Sequence, residues 1–167
     1  RRACMKIVMT DPSLFTCRYD DSLCTALDGQ GHDVALLGRP ARRTDAIVPT
    51  GYRLIPRFFG KSERWRATLG DGRLFKGAKA TEYWLDSQFG ALGVMANADV
   101  VHMQWLPLPM ADARWITRLR ASGRALVHTV HNATAFHGEQ GADAYARLLL
   151  RFDRLIVHGE ETRAALR

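Results

Sequence analysis

Val127-His128-Thr129-Val130-His131-Asn132-Ala133-Thr134-Ala135-Phe136-His137-Gly138 begins apolar and turns polar within a few residues. Ala125-Leu126 precede it, Gly123 closes the helical pattern before that, and the apolar run stops at His131-Asn132. A short run bounded in this way reads as a buried strand. In an open parallel sheet, ligands bind just beyond the carboxyl ends of the strands. His131 is therefore the leading candidate for chemistry, and Asn132 and Thr134 follow as candidate substrate contacts.

Upstream, Ala111 to Ser122 has helical spacing, with Trp115, Ile116 and Leu119 on one face and Arg114, Arg118 and Arg120 on the other. Before it, Ala98 to Gln104 reads as a strand halted by Trp105-Leu106-Pro107-Leu108-Pro109. If the two strands run parallel, Gln104 and Trp105 share a sheet edge with His131. Downstream, a helix over about 142–152 leads to a strand, Asp153 to Gly159, and a new helix starts at Glu160.

The opening of the chain repeats the pattern. Cys4 to Thr10 is a short apolar run followed by the turn signature Asp11-Pro12-Ser13. The spacing of Leu23, Ala26 and Leu27 predicts a helix from about Asp20, ended by Gly29 or Gly31, and Asp33 to Gly38 is a second strand. A right-handed crossover makes these strands parallel neighbours. Asp11 to Asp20 contains no glycine, which argues against a dinucleotide held by a glycine-rich turn. Tyr52 to Pro56 reads as a third strand near an edge, since Pro56 cannot donate to a ladder. Residues 59–79 show no clean periodicity and are expected to form a loop or short amphipathic helix. Residues 80–96 read as a helix with Tyr83, Trp84, Phe89, Leu92 and Met95 on its core face. Strands alternating with helices at this spacing specify a three-layer α/β domain with a mainly parallel sheet.

The chain has 167 residues and 47% hydrophobic content, enough for one core. No run approaches the roughly 20 apolar residues of a membrane span, and Arg1-Arg2 lacks the apolar continuation of a signal peptide, so a cytoplasmic location is expected. Cys4, Cys17 and Cys24 form no pairing framework and read as buried thiols, with Cys17 the one to test for reactivity. Of the net charge of +7, most lies between Arg39 and Lys79, where eleven Lys/Arg face three Asp/Glu. Arg57, Lys61, Arg64 and Arg66, with Trp65 among them, form a candidate patch for an anionic membrane surface. The alternative is a solvated basic face. No nucleic-acid motif accompanies the charge.

His128 and His131 are three apart in an extended segment, so they point to opposite faces, and no carboxylate or cysteine cluster completes a metal set. No metal or cofactor is expected. His131, with an ordinary pKa of about 6.5, suits hydrogen bonding to a sugar hydroxyl or phosphate. Its other reading is a structural histidine bonded to a loop carbonyl. His102, inside a strand, reads as structural.

Three stretches now stand in order: Ala98-Asp99-Val100-Val101-His102, Val127-His128-Thr129-Val130-His131-Asn132, and Phe152-Asp153-Arg154-Leu155-Ile156-Val157-His158. With Gly31-His32-Asp33-Val34, they resemble the N-terminal domain of GT-B glycosyltransferases, most closely the retaining "group 1" or family 4-like enzymes. The resemblance spans essentially the whole chain. It implies a Rossmann-like, acceptor-side domain over residues 1–167, with the nucleotide-sugar domain outside this chain and the isolated domain inactive. It also implies a nucleotide-sugar donor, held mainly by that second domain, and a glycan or lipid-linked acceptor of polysaccharide or glycoconjugate synthesis.

Within the resemblance, His131 faces the transferred sugar or the acceptor. The family often has a glycine pair after its first strand, where this chain has Pro12-Ser13-Leu14-Phe15-Thr16; Thr16, Arg18 and Tyr19 are expected to supply acceptor contacts instead. Asn132 stands where the family usually has an aspartate, removing a charge that would raise the histidine's pKa. A lipid-linked acceptor would fit a domain resting peripherally on the inner face of the membrane. Two rival readings are a non-catalytic ligand-binding domain of the same fold and one half of a sugar-nucleotide epimerase.

Overall fold

The computed structural model describes residues 3–69, 72–131 and 139–166. Six strands form one sheet: β1 (Lys6–Thr10), β2 (Asp33–Gly38), β3 (Arg53–Pro56), β4 (Val100–Met103), β5 (Ala125–Val130) and β6 (Arg154–Val157). Their order is β3-β2-β1-β4-β5-β6, and every pairing is parallel. The expected mainly parallel sheet is wholly parallel. β3 lies at an edge, as Pro56 requires.

The chain winds outward from β1 in one direction and returns to wind outward from β4 in the other. Connections therefore diverge between β1 and β4, which opens a crevice at their carboxyl ends. The segments entering it are residues 11–16 after β1 and 104–108 after β4.

The helices are α1 (Cys17–Gly29), α2 (Gly60–Leu69), α3 (Arg73–Leu85), α4 (Leu92–Met95), α5 (Pro109–Ala121), α6 (Glu139–Leu149) and α7 (Glu160–Ala165). A π-helical turn, Asp86–Ala91, joins α3 to α4. Alternation along the strands divides the core in two. Val8, Ala35, Leu37, Val101, Met103 and Leu126 pack with Tyr83, Met95, Trp115, Ile116 and Leu148 of the helices on one face. On the other, Ile7, Met9, Val34 and Leu36 pack against Cys24 of α1 and Tyr52. Large side chains as fully buried as Trp115 and Tyr83 each contribute on the order of 1.5–3 kcal/mol.

Several expectations are corrected. Residues 59–79 are not a loop or single short helix: they hold α2 and the start of α3, which begins at Arg73 rather than residue 80. Acidic groups of the later helical segments satisfy the backbone at the start of α2, a tertiary capping that sequence periodicity does not register. Glu82 accepts the Lys61 and Ser62 amides at 2.6 and 2.8 Å, and Asp86 accepts the Phe59 amide at 2.8 Å. Phe89 is 73% exposed rather than in the core, because the π-helical turn shifts the register of the apolar stripe. α1 begins at Cys17, three residues before the expected start, and its buried face carries Asp20 and Cys24, with Ala26 exposed. Only Cys24 is a buried thiol; Cys4 is exposed and Cys17 intermediate.

Among the described residues no helix is long and apolar enough to cross a membrane.

Candidate functional site

His131 follows the last residue of β5 and lies half-buried at the carboxyl edge of the sheet. Its Nε2–H donates to Gln104 Oε1 at 2.9 Å. Gln104 comes directly after β4 and is buried, and its amide nitrogen lies 3.4 Å from Met9 Sδ. An amide oxygen only accepts, so the bond keeps the imidazole proton on Nε2 and leaves the lone pair on Nδ1. The indole of Trp105 stacks on the same ring, with centroids 4.8 Å apart and planes 12° from parallel.

Two more rings complete the cluster. Tyr19, on the first turn of α1, meets His131 edge-on at 5.8 Å and His158 at 5.2 Å. His158, just past β6, lies 5.2 Å from His131. Burial lowers the His131 pKa, and the neighbouring His158 lowers it further. Neutral His131 therefore dominates at neutral pH, with Nδ1 as a hydrogen-bond acceptor. The expected alternative, a ring tied to a loop carbonyl, is not the contact its Nε2 makes.

Beneath this cluster is a carboxyl pair that sequence reading did not single out. Asp11 ends β1's run into the crevice, Asp20 sits in the first turn of α1, and both are wholly buried. Burial raises both pKa values, that of Asp20 to about 9, helped by the charge of Asp11. The two carboxyls are hydrogen-bonded to each other, and the proton rests on Asp20 at neutral pH. Asp11 Oδ2 accepts the Thr16 amide at 2.9 Å and lies 3.3 Å from Thr16 Oγ1, which in turn accepts Trp105 Nε1–H at 3.3 Å. A continuous set of contacts thus runs from the buried pair through Thr16 and Trp105 to His131.

Gly38 and Arg39 hold this loop down. A Cβ at Gly38 would meet Leu14 Cδ2 at 2.5 Å and the Asp11 carbonyl oxygen at 3.0 Å. Buried Arg39 donates to the Ser13 carbonyl at 3.0 Å and forms a two-pronged pair with Asp45 at 2.7 and 2.8 Å. That guanidinium holds the Asp45 carboxyl below its ordinary pKa. Arg42 pairs with Glu63. Two cations of the basic block are therefore structural.

Thr16, Tyr19, Gln104, Trp105 and His131 converge at one place. Arg18 is exposed on the outer side of the first α1 turn. Asn132 and Thr134 lie outside the described residues. Arg57, Lys61, Arg64, Trp65 and Arg66 are all exposed, the last four on α2. Asp11, Asp20 and His158 are the additions; a carboxylate on each side of a glycine-free turn was the one legible hint of the pair. His102 and His128 are buried, the first 2.8 Å from Thr129 Oγ1, the second 2.8 Å from the Met103 carbonyl and 3.1 Å from Tyr145 Oη. Burial lowers each pKa to about 4, which suits neutral structural roles.

No curated protein matches the chain by sequence. Among solved structures, a Listeria monocytogenes protein assigned as a UDP-N-acetylglucosamine 2-epimerase superposes with a TM-score of 0.61 at 13% identity. The match covers 98% of this chain and 42% of that one, so the chain spans under half that protein's length and the likeness shows a shared fold. The family model of Glycosyltransferase Family 4 matches residues 18–167, which takes in α1 but for its first residue, all strands but β1, and His131. The chain belongs to Glycosyltransferase Family 4.

Proposed function

We propose that this domain binds the acceptor in a retaining transfer of a hexose from a nucleotide-sugar donor to a glycan or lipid-linked acceptor. The observation that carries the reading is His131 at the crevice between β1 and β4, neutral and with its Nδ1 lone pair unspent on Gln104. In glycosyl transfer, positive charge develops on the sugar and negative charge on the leaving diphosphate, so catalysis rests on positioning and on stabilising the leaving group. His131 Nδ1 accepts a hydroxyl of the sugar or acceptor. Trp105 and Gln104 fix the ring, and Thr16 and Tyr19 line the acceptor's approach. A second domain holds the diphosphate, and the chain alone turns nothing over.

Arg57, Lys61, Arg64, Trp65 and Arg66 are exposed on one segment, which supports peripheral attachment to the anionic inner face of the membrane.

The epimerase-like neighbour supports one competing reading, in which the same scaffold inverts a centre on a nucleotide sugar without transfer. Product analysis separates the two. The protein that joins this chain to a nucleotide-sugar domain is incubated with labelled UDP- and GDP-hexoses and a panel of oligosaccharide and lipid-phosphate acceptors. Label appearing in an acceptor supports transfer; label recovered only as an epimeric nucleotide sugar refutes it.

A further inference from the structure

Beside the His131 cluster, a cavity of about 250 Å³ opens between α3 and the loops that follow β1 and β4. Its lining is apolar: Phe15, Phe59, Tyr83 and Leu108, with Lys76 and Lys79 contributed by one face of α3. The floor is fixed. Phe59 and Tyr83 are buried and stack with centroids 5.8 Å apart, and the Tyr83 hydroxyl is committed to Asp112. Phe15, 55% exposed, forms a wall shared with the site, since its ring meets Trp105 edge-on at 5.6 Å.

The two lysines make the cavity unusual. Lys79 is half-buried, with Nζ 4.5 Å above the Phe59 ring, and burial lowers its pKa. Among the described residues no carboxylate lies within ion-pair distance of Lys76 or Lys79, and none lines the cavity. Glu63, whose charge acts on Lys79, is already paired to Arg42. A partly desolvated cation without a counter-ion favours an anion. Sugars need several hydrogen-bond partners, and among the described lining residues Ser13 offers the one hydroxyl left for them. Phe59, in the lining, holds left-handed backbone at φ 58°.

We propose that this cavity binds an aliphatic phosphate, with the hydrocarbon against Phe15, Phe59 and Leu108 and the phosphate between Lys76 and Lys79. As the seat of the acceptor's lipid end it rests on the glycosyl-transfer reading; as a binding site it stands without it.

Calorimetric titration of the chain with geranyl phosphate, geraniol and inorganic phosphate tests the site directly. Geranyl phosphate binds, and each half alone binds at least about tenfold more weakly. The double variant Lys76→Gln, Lys79→Gln abolishes the preference for geranyl phosphate over geraniol. Ala80→Phe, at an exposed lining position, blocks both while leaving the thermal melt in place. Sedimentation with neutral phosphatidylcholine vesicles, with and without a few per cent polyprenyl phosphate, then separates a membrane-presented ligand from a soluble one. These dependences uphold the site even in the absence of any transfer activity. Equal binding of geraniol and geranyl phosphate, or titrations unchanged in both variants, overturns it whatever the activity.

Discussion

His131 gains its character from one neighbour. Gln104 offers an oxygen to Nε2–H, and the carbonyl of a primary amide cannot accept from a bare nitrogen, so the tautomer follows from a single contact. Gln104→Leu should leave the ring stacked on Trp105 but let both tautomers populate. Imidazole nitrogen shifts of the labelled chain should show protonated Nε2 in the wild type and averaged nitrogens in the variant; unchanged shifts would remove Gln104 from this role. His131, Gln104 and Trp105 were legible in the sequence because each terminates an apolar run. The Asp11–Asp20 pair was not, because a shared proton depends on two segments meeting in the interior.

That pair also sets a pH dependence. Asp20 has its folded pKa raised to about 9, so the folded state holds a proton the unfolded chain has released, and stability falls as pH rises from about 4 through 9. Below about pH 7 this slope is opposed by His102 and His128. Their pKa values, lowered to about 4, make stability fall as pH drops below about 6.5. Asp112, raised to about 7, acts with Asp20 there and is spent above it. Between pH 7 and 9 the Asp20 slope dominates, on the order of 1 kcal/mol per pH unit. Urea melts should show the wild type weakening across that window and Asp20→Asn, which keeps a donor to Asp11, nearly flat. Parallel slopes for the two proteins would dissociate the pair from the effect.

At the scale of elements, the loop after β1 is positioned by what lies beneath it. Gly38, at the end of β2, leaves room for Leu14 and the Asp11 carbonyl, and Arg39 fastens Ser13 from the adjoining position. Gly38→Ala should cost about 1–3 kcal/mol in a denaturant melt, the range for forcing an extra methyl into a packed site. A neutral substitution would show that the loop yields freely. Strands and their order of appearance were readable from short apolar runs, since period and length separate them from helices. α2 was not, because its backbone is completed by Glu82 and Asp86 from later in the chain and its own stripe is weak. The misplaced Phe89 lies inside a π-helical turn, whose wider winding departs from 3.6-residue spacing.

For the whole molecule, the parallel order β3-β2-β1-β4-β5-β6 places the ends of β1, β4, β5 and β6 along one edge, and the candidate site is made entirely from what emerges there. The excess of positive charge collects elsewhere, shared between α2, α3 and the segments before them, with Arg39 and Arg42 withdrawn into internal pairs. Composition located that block correctly but could not distinguish a paired arginine from an exposed one. If the exposed remainder rests on a membrane, the chain should sediment with vesicles containing anionic phosphatidylglycerol. Neutralising Arg57, Lys61, Arg64 and Arg66 should weaken that binding by roughly 1 kcal/mol per charge at low salt. Equal binding to neutral vesicles would rule out an electrostatic contact.

The central claim is that the imidazole at position 131 touches the reacting sugar or its acceptor. Steady-state transfer by His131→Ala, in a protein joining this chain to a nucleotide-sugar domain, measures it most directly. The expected result is a fall in kcat of about a hundredfold with an unchanged thermal melt; turnover within twofold of wild type would contradict it.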